Sequence, residues 1–192
     1  IANSCTFAEK VIFATGKSDD NFLAESIARD AGVEFLVGSE SNVYDRFCKV
    51  SKEYPSEFIV RVTCDNYLVQ PELLEAIFNL VQSQNADYGF IEPLSHYGGE
   101  IIRSKLFDNF KNPSKKAKEH VTWDFRNNET VSKVSLPLNF KGIDHSNSIT
   151  LDNIDDFILM KKIESMSEDF RQVRCIDALQ KIDFTKISSH KF

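Results

Sequence analysis

Phe58-Ile59-Val60-Arg61-Val62-Thr63-Cys64-Asp65-Asn66 is the stretch that decides the fold. Its first residues are apolar on both faces rather than at alternate positions, the pattern of a central strand covered by helices on each side. The run then stops at a polar tip, Cys64-Asp65-Asn66. Upstream, Val11-Ile12-Phe13-Ala14 reads as a strand ending at Thr15-Gly16, and Ser18 or Asp19 can cap a helix with Phe22, Leu23, Ile27 and Ala31 on one face before Gly32 stops it. Residues 33–37 form a second strand closed by Gly38-Ser39, and residues 42–54 a helix that turns Val43, Phe47 and Val50 inward. Downstream, Pro71 opens a helix striped with Leu73, Leu74, Ile77, Phe78 and Val81.

The later segments are more irregular. Residues 87–91 and 100–103 read as strands, 105–110 and 118–126 as helices, and 131–136 as a half-exposed antiparallel strand. A last strand at 149–151 carries Asp152 at its tip, and helices follow at 154–165 and 173–180. Strands alternating with helical segments predict an α/β fold with a mostly parallel sheet. No repeat or low-complexity linker interrupts the chain, so a single domain over residues 1–192 is expected.

Composition narrows the function classes. With 42% hydrophobic and 27% charged residues among 192, the chain has the balance of a folded globule rather than a disordered one. A net charge of −6 argues against coating nucleic acid, which needs a basic face, but not against binding nucleotides. No apolar run is long enough to span a bilayer, and the first residues carry no cationic-apolar export signal. Cys5, Cys48, Cys64 and Cys175 are scattered, which fits reduced thiols in the cytoplasm better than a disulfide framework or a zinc site.

In an open parallel sheet, ligands bind beyond the carboxyl ends of the strands. That rule singles out Thr15-Gly16, Gly38-Ser39, Asp65-Asn66 and Asp152. Two carboxylates at such a rim, Asp65 and Asp152, can hold a magnesium ion whose remaining ligands are phosphate oxygens and water. The plainer reading is turn and cap chemistry: on spacing alone Asp152, with Asn153, Asp155 and Asp156, caps the last long helix, and Asp65 stands level between turn and site. The residues exclude a zinc protease or a serine hydrolase, since neither His-Glu-x-x-His nor Gly-x-Ser-x-Gly occurs. His120, after Glu119, bonds a ligand or orients a loop; His96 lies in a loop with Tyr97-Gly98-Gly99; His145 and His190 read as exposed. Lys115-Lys116-Ala117-Lys118 reads as a solvated helix start.

Six ordered segments then resemble a known family: Val11 to Thr15; Phe35-Leu36-Val37-Gly38-Ser39 with Val43-Tyr44-Asp45-Arg46-Phe47; Arg61 to Asn66; Ala86-Asp87-Tyr88; Glu119-His120-Val121-Thr122; and Thr150-Leu151-Asp152 leading into Asp155-Asp156-Phe157. Together they resemble the cytidylyltransferase-type proteins of spore-coat polysaccharide biosynthesis, relatives of the CMP-sugar-acid synthetases. The resemblance implies a nucleotide-diphospho-sugar-transferase-like three-layer sandwich. It implies attack of a sugar hydroxyl on the α-phosphorus of CTP, with a sugar or sugar acid as acceptor and Mg2+ as cofactor. By position, it makes Asp65 and Asp152 the catalytic metal carboxylates, has Arg46 face the ligand pocket, and puts Gly38, Ser39 and Asn66 among the substrate-binding residues. Glu100, Glu119 and His120 would line the acceptor side. Relatives of this kind are often dimers, so a homodimer is part of the expectation.

Two departures qualify the resemblance. Tyr67 stands two residues after Asp65, where relatives commonly have proline. Relatives also begin with a strand and a glycine-, arginine- and lysine-containing loop that holds the triphosphate, and no such segment precedes Val11. A fragment of a longer protein and a degenerate relative both fit this, and the expectation is weak or no CTP turnover by this chain alone. Two other functions compete: a non-catalytic domain binding a sugar nucleotide or partner, and a glycosyltransferase of the same broad fold. The second usually carries Asp-x-Asp, whereas Asp65 is followed by Asn66-Tyr67.

Overall fold

A computed structural model of the chain describes residues 5–17, 21–67, 69–92, 99–137 and 150–165. The strand expected from residue 58 onward forms as β3, Phe58–Arg61, and ends two residues earlier than the apolar run. Before it come β1 (Ile12–Gly16), α1 (Asn21–Asp30), β2 (Glu34–Gly38) and α2 (Val43–Glu53). After it come α3 (Pro71–Ser83), β4 (Tyr88–Glu92), β5 (Glu100–Arg103), three short helices α4 (Lys105–Asn109), α5 (Lys115–Glu119) and α6 (Trp123–Asn127), then β6 (Lys133–Pro137) and α7 (Ile154–Glu164).

Local chemistry accounts for the helix starts. The Asn42 side chain accepts a hydrogen bond from the backbone N–H of Asp45 at 3.1 Å and caps α2. Pro71 occupies the first turn of α3, where its missing N–H costs nothing. At α7, Asn153 and Asp156 bond each other's backbone N–H groups in a capping box.

The strands lie in two groups. β1 and β2 pair in parallel, while the larger sheet has the order β3-β5-β4-β6. Within it β5 runs antiparallel to both β3 and β4, and β4 and β6 are parallel. Thus β3, β4 and β6 share one direction and β5 opposes them. Helices cover both faces of this sheet. One face carries Ile101, Val134 and Leu136 against Ile77 and Val81 of α3. The other carries Ile59, Tyr88 and Ile102 against Tyr44 of α2, Leu106 and Phe107 of α4, and Phe125 of α6. Successive side chains of β5, Ile101 and Ile102, therefore enter different cores, as the two-residue period of a strand requires.

Several expectations need correction. Residues 133–137 pair in parallel with β4 rather than antiparallel, because strand direction follows from the route of the connection and not from alternation. The helix expected over 118–126 is broken at His120, whose backbone N–H closes α5 on Lys116 and whose carbonyl accepts from Trp123. The strand expected at 149–151 is reduced, among described residues, to one bridge between Thr150 and Asn66. β3 lies at an edge of its four-stranded sheet rather than at its centre. The apolar stripe of α1 is largely outward: Phe22, Leu23 and Ile27 are exposed, and Ala28 is the residue buried. Ser18, Asp19, residues 96–98, His145, Ile149, Cys175, His190 and the helix expected at 173–180 lie outside the described residues. No helix among the described residues is long and apolar enough to cross a membrane.

Candidate active site at the carboxyl rim of the sheet

Two turns that lie far apart in sequence meet beyond the end of β3. The backbone N–H of Leu151 donates to the carbonyl of Asp65 at 3.0 Å, and Asn66 bridges Thr150 in antiparallel fashion. Asp65 and Asp152 are therefore carried on adjoining strands of backbone. The Asp65 turn is closed on itself by the Asn66 N–H bonding the Thr63 carbonyl at 3.1 Å.

The acceptor oxygens of this corner are unusual. Asp65 Oδ1 and Asn66 Oδ1 are buried and have no hydrogen-bond partner among the described residues. Orphaned buried oxygens are costly, and a bound cation satisfies them where no donor does. On the facing turn, Asp152 Oδ2 accepts from Thr150 Oγ1 at 2.6 Å, which fixes the carboxylate while its backbone N–H bonds Asp156 Oδ2 at 3.0 Å. Capping of α7 belongs to Asn153 and Asp156, so the Asp152 side chain is not engaged as the cap. Two carboxylates with a neighbouring amide oxygen are a hard, oxygen-only donor set of the kind magnesium takes. The residues present fit the ion. Among the described residues no group of three or more His, Cys, Asp or Glu could hold a metal ion, so this corner offers two carboxylates and leaves the other positions to substrate oxygens and water.

A second candidate region lies at the carboxyl ends of β1 and β2, which form their own sheet. Gly38 pairs with Gly16, and a Cβ added at Gly38 would stand 2.6 Å from Cγ of Arg46. Glycine is thus what lets the Arg46 side chain cross the strand end. Ser39 Oγ accepts from the Asn42 N–H at 3.1 Å, so Ser39 shapes the turn that launches α2.

The third part is a buried ionic cluster at the start of β5. Because β5 is antiparallel, its first residue, Glu100, sits beside the last residue of β3, Arg61. Glu100 is 2% exposed. Arg61 Nη1 donates to Glu100 Oε2 at 2.7 Å. Arg126 Nη2 and Thr122 Oγ1 each donate to Oε1 at 2.8 Å, and the Tyr88 hydroxyl donates to the same oxygen. Arg126 Nε in turn donates to the Tyr88 hydroxyl at 2.7 Å, and its guanidinium lies 4.9 Å from the ring centre of Phe90. Burial alone would raise the Glu100 carboxyl, but Arg61 and then Arg126, with the bonds from Tyr88 and Thr122, hold it below the ordinary range. Burial, followed by the Glu100 charge, pushes the Tyr88 phenol well up, which keeps it a neutral donor. Gly99 makes the approach possible: its φ is +84° and a Cβ there would stand 2.4 Å from the Arg61 carbonyl oxygen.

This placement revises the expectation for Glu100. Its carboxylate does not line an open acceptor surface but is enclosed by four side chains, so any effect on a ligand passes through its partners. Glu119 and His120 are exposed at the end of α5, and in their segment it is Thr122 that reaches the cluster. Arg61, Tyr88, Thr122 and Arg126 were not singled out as site residues from the sequence. A charge inside an apolar strand, as at Arg61, was the available signal, because such a group needs a buried partner.

Comparison with known proteins bears on the family and the fold. The spore coat polysaccharide biosynthesis protein SpsF of Bacillus subtilis is 28% identical over 162 residues, covering 81% of this chain and 67% of that protein. An uncharacterised protein of Methanocaldococcus jannaschii is 32% identical over 185 residues, 89% of this chain and 72% of its own length. The fold is that of a cytidylyltransferase from Leptospira borgpetersenii, with a TM-score of 0.83 at 20% identity over 99% of this chain and 83% of that one. CMP:2-keto-3-deoxy-manno-octonic acid synthetase, solved with CTP, matches with a TM-score of 0.62 at 11% identity over 86% of this chain and 83% of that one. The expected nucleotide-diphospho-sugar-transferase-like α/β architecture, with a mostly parallel sheet, is therefore present. Residues 1–185 match the cytidylyltransferase family as a whole, and the chain belongs to that family.

Proposed function

We propose that the protein takes part in transfer of CMP from CTP to a hydroxyl of a sugar or sugar acid, making an activated sugar for surface polysaccharide. In that reaction the acceptor oxygen forms a bond to the α-phosphorus, the bond from that phosphorus to the bridging oxygen of pyrophosphate breaks, and the hydroxyl proton leaves to solvent or a base. The observation that carries the reading is the junction of the Asp65 and Asp152 turns through the Leu151–Asp65 bond, with buried acceptor oxygens left over. Asp65 and Asp152 would hold Mg2+, with the Asn66 side-chain oxygen beside them. When bound, the ion would neutralise charge on the triphosphate and on the departing pyrophosphate. Arg46, carried over Gly38, is the side chain we place toward the nucleotide phosphates.

The test separates metal binding from turnover. Mn2+ substituted for Mg2+ is titrated and followed by electron paramagnetic resonance with wild type, Asp65→Asn and Asp152→Asn. Each variant is expected to weaken Mn2+ binding at least about tenfold, the loss of one charged ligand. Unchanged Mn2+ affinity in both variants would remove the metal assignment. Pyrophosphate release from CTP with a panel of sugars and sugar acids then tests the transfer itself.

A further inference from the structure

The two ends of β5 offer an internal comparison. At its carboxyl end Arg103 is surrounded by Glu57 at 2.5 Å and Asp87 at 3.3 Å, and Lys105 reaches Asp87 at 2.7 Å. Two cations there meet two carboxylates. Arg103 also bonds Asn85 Oδ1 and the Ala86 carbonyl, so that end is a balanced structural latch. At its amino end the bookkeeping differs. Arg61 and Arg126 both face Glu100, and Tyr88 and Thr122 add only neutral hydroxyls.

Among the described residues one positive charge at that end is unmatched. Each guanidinium carries five N–H groups. Arg61 commits Nη1 to Glu100, and Arg126 commits Nε and Nη2 to the cluster. Arg61 Nε is buried and has no hydrogen-bond partner among the described residues. The side chains remain 22% and 37% exposed, so neither guanidinium is sealed inside the core. The imbalance lies at the carboxyl rim, four positions before Asp65 on the same strand and turn, whereas the balanced latch lies at the opposite end.

We infer that Arg61 and Arg126, held by Glu100, form an oxyanion-binding subsite of the candidate active site. Its ligand is a singly charged carboxylate or phosphate oxyanion carried by a substrate. Glu100 is the positioning residue: it spreads the two guanidiniums and prevents their mutual repulsion without neutralising both. Arg126 is further fixed by the ring of Phe90 and the Tyr88 hydroxyl, which orients its planar fork before any ligand arrives. This inference rests on the cytidylyltransferase reading for the identity of the substrate, but not for the existence of the anion site.

The experiment follows the Arg Nε–Hε signals of the full chain by 15N NMR, assigned with Arg61→Lys and Arg126→Gln. Four probes are titrated: a 2-keto sugar acid, a sugar 1-phosphate, a neutral sugar, and CTP with Mg2+. The expected result is that an oxyanion-bearing probe shifts the Arg61 and Arg126 signals and the neutral sugar does not. Arg126→Gln should weaken that probe about tenfold or more, and Arg126→Lys should restore part of the loss, as expected for a charge-assisted fork. Thermal melting confirms that the variants are folded; Arg61→Gln serves as the second variant if Arg126→Gln is not. Shifts with the sugar acid or sugar phosphate place the anion on the acceptor, and shifts with CTP alone place it on the nucleotide. No shift with any oxyanion probe, or equal affinity in wild type and Arg126→Gln, overturns the subsite. If CTP fails to bind while a sugar acid moves both arginines, the proposed CMP transfer by this chain falls and the subsite stands.

Discussion

The Asp65 corner and the Glu100 cluster sit at the same rim yet handle buried oxygen in opposite ways. Around Glu100 both carboxylate oxygens are paired, to two guanidiniums and two hydroxyls. At the corner, Asp65 Oδ1 and Asn66 Oδ1 are buried without donors among the described residues. A paired buried carboxylate holds the fold together, whereas an orphaned one weakens the ligand-free protein and is retained for what it binds. The difference separates structure from function more sharply than acidity does, since both are acidic side chains at strand ends.

The largest test of that contrast is Glu100→Ala. Removing the anion leaves two arginines facing each other at the rim of the sheet and a buried hole at Glu100, and a loss of about 3–5 kcal/mol in urea unfolding is expected. A loss below 1 kcal/mol would mean that the cluster does not hold the fold. The acid side of the pH profile gives an independent reading. Because the folded Glu100 carboxyl is held below its ordinary value of 4.5, its contribution is present above that value and is lost as pH falls through the lowered folded value. Thermal melts of wild type and Glu100→Gln should therefore converge as the pH is lowered below 4.5. Tyr88→Phe removes one donor while keeping the ring, and about 1–2 kcal/mol of stability should go with it.

Asn153→Ala breaks the α7 capping box at a cost of about 1 kcal/mol. It should also loosen the Asp152 turn and lower divalent-ion affinity, measured by calorimetry. Asp65→Asn is the smallest in stability and the most discriminating. With no metal added it should be neutral or slightly stabilising, on the order of 0–1 kcal/mol, because its buried Oδ1 has no donor among the described residues to lose. A clear destabilisation of metal-free Asp65→Asn would make that carboxylate structural and erase the contrast.

Much of the framework was legible because it is written in short-range pattern. The run from Phe58 marked its own strand and put Asp65 at a rim, and Pro71 opened α3 where expected. The spacing around Asp152 left metal ligand and helix cap open. Only the bonds of Asn153 and Asp156 assign the cap elsewhere. The Glu100 cluster was hidden for a different reason: its partners lie 39, 12, 22 and 26 residues away, beyond any local period. The direction of β6 was misread because alternation reports which face is wet, not which way the chain arrives. α1 shows the same limit, since an apolar stripe identifies a helix face without saying what covers it.

The opposed direction of β5 has a consequence for how the molecule acquires its chemistry. Glu100 meets Arg61 only once β5 has docked on β3, and meets Arg126 only once α6 has closed over the same face. Contacts at such separations form late, after the entropy of closing the intervening loops has been overcome. The rim is therefore expected to have no half-assembled form: pulse-labelled hydrogen exchange during refolding should show the amides of Glu100 and Arg126 gaining protection together, and after those within α3.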